Sequence, residues 1–162
     1  MSNDQIVINS SPLITLCKSA QEDLLPQLFE STIVPSAVWL EITATTHNDL
    51  AASLIPSLPW VKHEKIIAVP TLIQAWDLGA GESEVLAYAL RNPSFLAVLD
   101  DAAARRCARS LGINSIGTVG LFILAKRRNL ITEVMPCIQK LRDAGLWLTD
   151  DLIEIVRQQA GE

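Results

Sequence analysis

The segment FLAVLDDAAARRCARSLGI, residues 95–113, decides the fold. Its first five residues, 95–99, form an apolar run too short for a helix and suited to a strand buried on both faces; Asp100 and Asp101 then break it. Residues 102–111 carry alanines and arginines at helical spacing, and residues 113–116 open another short strand. Working outward, residues 6–8 and 32–34 read as further buried strands, and 61–67 as a minor one. Helical patterns lie between them at 12–18, 36–45 and 81–90. This alternation predicts an α/β fold, a three-layer α/β/α sandwich around a parallel sheet. Beyond residue 130 the pattern gives two helices, 133–143 and 150–159, separated by the Ala144-Gly145 stop. With no repeat or low-complexity tract, residues 1–162 are expected to form a single domain whose C-terminal helices begin at about 131.

Composition narrows the class. Of the 162 residues, 49% are apolar, 19% charged and 5% aromatic, which excludes a disordered chain and allows a sizeable core. The longest apolar run, 119–125, is far short of a bilayer span, and the opening MSNDQ has no basic flank, so a cytoplasmic protein is expected. Cys17, Cys107 and Cys137 show no metal-type spacing and read as reduced core residues; His47 and His63 have no zinc-type partner. The net charge of −5 conceals segregation: from Arg91 to Arg128 there are seven basic residues against two acidic ones. That imbalance suits a phosphate-facing patch, although a solvated helix face accounts for it equally.

Ligands of open parallel sheets gather beyond the carboxyl ends of the strands, where this chain places Asn9-Ser10 and Asp100-Asp101. Either aspartate also serves as the N-cap of the next helix, but two adjacent acids exceed what one cap requires. At 100° per residue, Glu82 lies amid the apolar stripe formed by Val85, Leu86 and Ala89, whereas Glu84 falls on the solvent side and needs no explanation beyond solubility. Glu41 borders the stripe of its helix, and Leu40 points outward. Acids converging from several elements repel one another, an arrangement best explained by a hard divalent cation with oxygen ligands, magnesium or manganese, able to activate water and stabilise a phosphate under attack. Arg105 and Arg109 share a face just after the aspartates, with Arg106 one position round, and suit such a phosphate. Residues 126–128, Lys-Arg-Arg, read first as an ordinary helix-end cluster.

Taken in order, VINSSPLITL, VPSAVWLEI, GAGESEVLAYAL, LAVLDDAAARRCARSLGI and IGTVGLFILAKRR resemble a PIN-domain protein, in the subgroup with GxGE, LDD and IGT-G-L motifs. The resemblance implies sheet order 3-2-1-4-5 and an acidic, magnesium- or manganese-dependent ribonuclease site of the kind found in toxins of bacterial toxin–antitoxin pairs. Carried over, the family's acids fall at Asn9, Glu41, Glu82 and either Asp100 or Asp101, with Asp101 favoured as the second residue after Leu99. Asn9, Glu41, Glu82 and Asp101 are then the expected metal ligands, with Glu41, Glu82, Asp100 and Asp101 as the catalytic set. Ser10 and Thr118 would bring hydroxyls to the cleft, although Thr118 also reads as a helix cap.

Asn9 departs from the family's usual Asp. An amide oxygen still ligates a hard cation but carries no charge, so metal affinity should fall. Expected partners are an RNA substrate, an antitoxin protein and a second copy of the chain. The alternative is a catalytically degenerate PIN-like module that binds RNA or protein. A phosphoacceptor receiver is disfavoured because no acid pair follows the first strand.

Overall fold

The computed structural model describes residues 4–44, 50–66 and 68–162. Five strands, β1 (Gln5–Ile8), β2 (Ser31–Pro35), β3 (Val61–Glu64), β4 (Phe95–Val98) and β5 (Ser115–Ile116), form one sheet in the order β3-β2-β1-β4-β5. Every pairing is parallel. The central strands lie buried between helices: Ile6, Val7, Ile8, Ala97 and Val98 are fully inaccessible. A run without polar alternation is what a sheet covered on both faces requires.

The connections are helical. They comprise α1 (Ser10–Lys18), α2 (Leu24–Leu28), α3 (Ser36–Thr43), α4 (Leu50–Leu54), α5 (Thr71–Gln74), α6 (Ala80–Arg91), α7 (Ala102–Ser110) and α8 (Thr118–Arg127), followed by α9 (Met135–Asp143) and α10 (Asp150–Ala160). A 3-10 turn, Ile55–Ser57, follows α4. Among the described residues, no helix is long and apolar enough to cross a membrane.

The three-layer α/β architecture and its sheet order agree with the expectation from the sequence. Periodicity does not reveal α2, α4 and α5, because segments of four or five residues complete hardly more than one turn. Helix α1 begins two residues before Pro12, which is tolerated in a first turn where backbone N–H groups have no intrahelical partner. Strand β3 ends at Glu64 rather than 67. Thr45, His47 and Ile67 lie outside the described residues. Cys17 and Cys107 are buried and Cys137 is half-buried.

The basic cluster that closes α8 is largely occupied in holding the fold. Lys126 Nζ donates to the Ala160 carbonyl (2.6 Å) and to Glu162 Oε1 (2.8 Å), while Arg128 Nη1 donates to the Leu28 carbonyl (2.6 Å). The Arg128 guanidinium also lies 5.9 Å from the centroid of the Phe29 ring. Glu162 in turn accepts from the Val134 and Met135 amides at 2.6 and 3.0 Å, satisfying the free N–H groups that open α9. Lys126, Glu162 and the start of α9 thus tie α10 against α8.

Burial pushes the Glu162 carboxyl up, but the Lys126 hydrogen bond, the two amides and the Lys126 charge outweigh it, bringing its pKa down to about 2. A carboxyl depressed on folding stabilises the native state above its unfolded pKa and loses that effect as pH falls toward the folded value. Glu162→Gln is therefore expected to melt below wild type at pH 7, with the gap closing between about pH 4.5 and 2. Paired thermal melts across that range test it.

Candidate metal centre and its surroundings

The order β3-β2-β1-β4-β5 reverses winding direction between β1 and β4, the place where open α/β sheets form a ligand crevice. Ile8 pairs with Val98, and the Asn9 amide donates to the Val98 carbonyl (3.1 Å), so Asn9 leaves β1 beside the end of β4, near Asp100. Asn9 is 2% exposed. Its Nδ2 donates to Glu82 Oε1 (3.1 Å), whereas its Oδ1 is buried without a hydrogen-bond partner among the described residues. An orphaned buried carbonyl oxygen costs roughly 1–3 kcal/mol and asks for an explanation.

Gly81, at the start of α6, reveals what that oxygen faces. A Cβ at Gly81 would lie 2.7 Å from Glu41 Oε1, 2.9 Å from Asn9 Oδ1 and 3.0 Å from Glu41 Oε2. Only a residue without a side chain lets these three oxygens approach α6. The Gly81 amide donates to Glu41 Oε1 (3.1 Å), and Ser10 Oγ donates to Glu41 Oε2 (2.6 Å). Helix α3 thus delivers Glu41 into a niche formed by α1 and α6, where each of its oxygens has a donor. Glu82, one residue beyond Gly81, is half-buried. Asn9 thus meets both glutamates, bonding to Glu82 through Nδ2 and turning Oδ1 toward Gly81 beside the Glu41 oxygens.

The two aspartates take different paths. Asp101 is the N-cap of α7 and accepts from the Ala104 amide (2.8 Å). Asp100 turns instead toward α8, where its Oδ1 accepts from the Thr118 amide (2.8 Å) and its Oδ2 from the Thr118 hydroxyl (2.6 Å). Counting residues from Leu99 favours Asp101, but the geometry gives Asp101 the capping task and orients Asp100. Thr118 does not cap α8: that position belongs to Gly117, and the hydroxyl fixes Asp100. Gly117 leaves room for this meeting, since a Cβ there would come within 3.0 Å of Asp100 Oδ1 and 3.2 Å of an Arg105 guanidinium nitrogen.

Among the described residues, no three His, Cys, Asp and Glu side chains are gathered tightly enough to hold a metal by themselves. The oxygen-rich arrangement is two glutamates with the Asn9 amide, and Asp100 beyond them. Its donor set is nonetheless hard and anionic, and the unpartnered Asn9 Oδ1 fits the place of a cation ligand.

Of the three arginines expected near the site, Arg105 borders a cleft of about 470 Å³ whose lining includes Asp100, Thr118, Ser11 and Trp147. Its Nε is buried without a partner. Arg106 and Arg109 are exposed on α7 and line no part of that cleft.

Sequence reasoning missed Glu84, which reads as a solubilising residue. Its Oε1 accepts from the Ala37 amide (3.0 Å), holding the first turn of α3 against α6. Helical phase cannot reveal this, because it measures a helix against its own core and not against the neighbouring helix start.

A doubly wound parallel sheet with oxygen-bearing side chains at its switch point defines an α/β protein with a ligand crevice at the carboxyl ends of its strands. The chain belongs to the PIN-domain family, which it matches over residues 5–162. PIN domains are generally metal-dependent ribonucleases that use divalent cations and bind RNA. No curated protein matches the chain.

Removing the cap with Asp101→Ala is expected to cost about 1 kcal/mol, a fall in melting temperature of about 2–4 °C for a domain of this size. Calorimetry measures it; an unchanged melting temperature would contradict the capping role.

Proposed function

We propose that the protein is a magnesium- or manganese-dependent endoribonuclease of the cytoplasm and the toxin of a toxin–antitoxin pair. The observation that carries the catalytic reading is the buried, unpartnered Asn9 Oδ1, turned with Glu41 toward the gap left by Gly81. Asn9, Glu41 and Glu82 would hold the cation, with Asp100 as a further acid at the same edge of the sheet. When bound, the ion supplies positive charge that polarises water and offsets charge building on the phosphate.

The chain's own groups do the rest. Ser10 and the Gly81 amide fix the Glu41 carboxylate, and Thr118 fixes that of Asp100, so both are oriented before substrate arrives. Arg105, which lines the same cleft as Asp100, suits a phosphate oxygen and would position the RNA backbone without reading sequence. Apolar side chains left on the surface, Leu40 at 62% and Trp147 at 83% exposure, support capture by an antitoxin or a second copy.

Asn9 also supports a second reading, a module that binds RNA or protein without turnover. Its amide contributes no charge and donates to one oxygen of Glu82. The two readings separate in an RNA-cleavage assay with manganese. The nuclease predicts turnover abolished by EDTA and reduced at least a hundredfold by Glu41→Gln or Glu82→Gln. Asp100→Asn should lose more activity than Asp101→Asn. Absence of turnover with intact RNA binding selects the module.

Two further variants probe the metal directly by titration calorimetry. Gly81→Ala puts a methyl among the oxygens, and manganese affinity is expected to fall more than tenfold while the fold persists, since α6 accepts alanine readily. Asn9→Asp adds a charge and should tighten manganese binding severalfold. Affinity unmoved by either substitution would place the cation elsewhere.

A further inference from the structure

Helix α3 carries Glu41 on one flank and an aromatic side chain on the other. Trp39 lies 200° from Glu41 around the helix, so the two flanks stand about a helix diameter, roughly 10 Å, apart. Trp39 stacks on His63 of β3, with ring centroids 4.7 Å apart and planes within 5° of parallel. Ser36 Oγ, 3.3 Å from His63 Nε2 and 3.4 Å from the Glu64 carbonyl, holds the imidazole in that plane. Because Ser36 follows directly on β2, this stack lies at the carboxyl edge of the sheet, the edge that also bears Asn9 and Asp100.

The surroundings favour nucleic acid over a purely structural pair. His63 is exposed on an edge strand, where core packing does not demand an aromatic ring. Lys65, two residues further on, is exposed as well, whereas Lys62 leaves the opposite face of the strand. The intervening acid, Glu64, interacts with the Tyr88 hydroxyl. A rigid, exposed π-face with a cation two residues along the chain is a combination that holds unpaired nucleotides: a base stacks on the ring and a phosphate meets the lysine. Glu84, holding the Ala37 amide, fixes the start of α3 and with it the distance from this face to the oxygen cluster.

We propose that His63, backed by Trp39 and followed two residues on by Lys65, is a base-stacking subsite for a single-stranded RNA nucleotide next to the one at the metal centre. The subsite rests on the ribonuclease reading for its substrate. It adds a demand that metal chemistry does not make, an unpaired base at a fixed offset from the scissile phosphate.

The test measures binding of a fluorescein-labelled twelve-nucleotide RNA in EDTA, where cleavage is suppressed, with thermal melts confirming that each variant folds. His63→Ala is expected to weaken binding at least fivefold, the lower end of what one stacked base contributes. His63→Phe should restore it, because a phenyl ring keeps the π-face and abandons the hydrogen bond to Ser36. Walking an abasic site along the RNA should reveal one position that costs wild type a similar factor and costs His63→Ala nothing further. The same sequence as a duplex should bind both proteins alike. Equal binding by wild type and His63→Ala, or failure of His63→Phe to rescue, overturns the subsite. Manganese-dependent cleavage by wild type and Glu82→Gln, run in parallel, tests the parent reading separately. Cleavage with no His63 effect removes only the subsite; a His63 effect without cleavage supports the subsite and removes the nuclease.

Discussion

Glu41 has to reach α6 through a space that a single methyl group would close. The Gly81 amide, Ser10 Oγ and the buried Asn9 Oδ1 all converge on that space, and α1, α3, α6 and β1 must be in place for them to do so. Like charges so arranged destabilise a fold unless something offsets them. Part of the offset is visible: the Asn9 amide donates to Glu82, and Glu41 takes a donor on each oxygen. Asn9 Oδ1 is left over, and one cation would satisfy it and the acids together.

Around that point the fold behaves as a positioning frame. The parallel sheet brings the ends of β1 and β4 side by side, and the reversal of winding between them keeps helices from covering the gap. Tasks are divided between adjacent residues: Asp101 stabilises α7, freeing Asp100 to be oriented by Thr118, and Glu84 anchors α3, freeing Glu82 to face Asn9. Neighbouring acids in DD and ESE pairs therefore hold different posts, one anchoring a helix start and the other meeting Thr118 or Asn9.

Much of this was legible in the sequence, for a physical reason. Buried parallel strands lack polar alternation, so β1, β2 and β4 stand out as apolar runs, and the polar residues that follow them mark the carboxyl edge. Helical phase correctly turns Glu82 inward. It misjudges Glu84, because the Ala37 amide belongs to another helix, and it cannot choose between Asp100 and Asp101, because both follow the same strand and the choice depends on Thr118, far along the chain. The Lys126 and Arg128 positive charges read as an ordinary helix-end cluster, and their partners, Glu162 and the Leu28 carbonyl, become neighbours only on folding. The Trp39 and His63 stack is invisible for the same reason, since β3 meets α3 only through the sheet.

The claim at the centre of this account is that Asn9, although uncharged, is a cation ligand. Crystals soaked in manganese and measured for anomalous scattering test it most directly. The account predicts a peak bonded to Asn9 Oδ1 and to carboxylate oxygens of Glu41 and Glu82. An anomalous peak seated on other residues, or none with manganese at millimolar concentration, would contradict it.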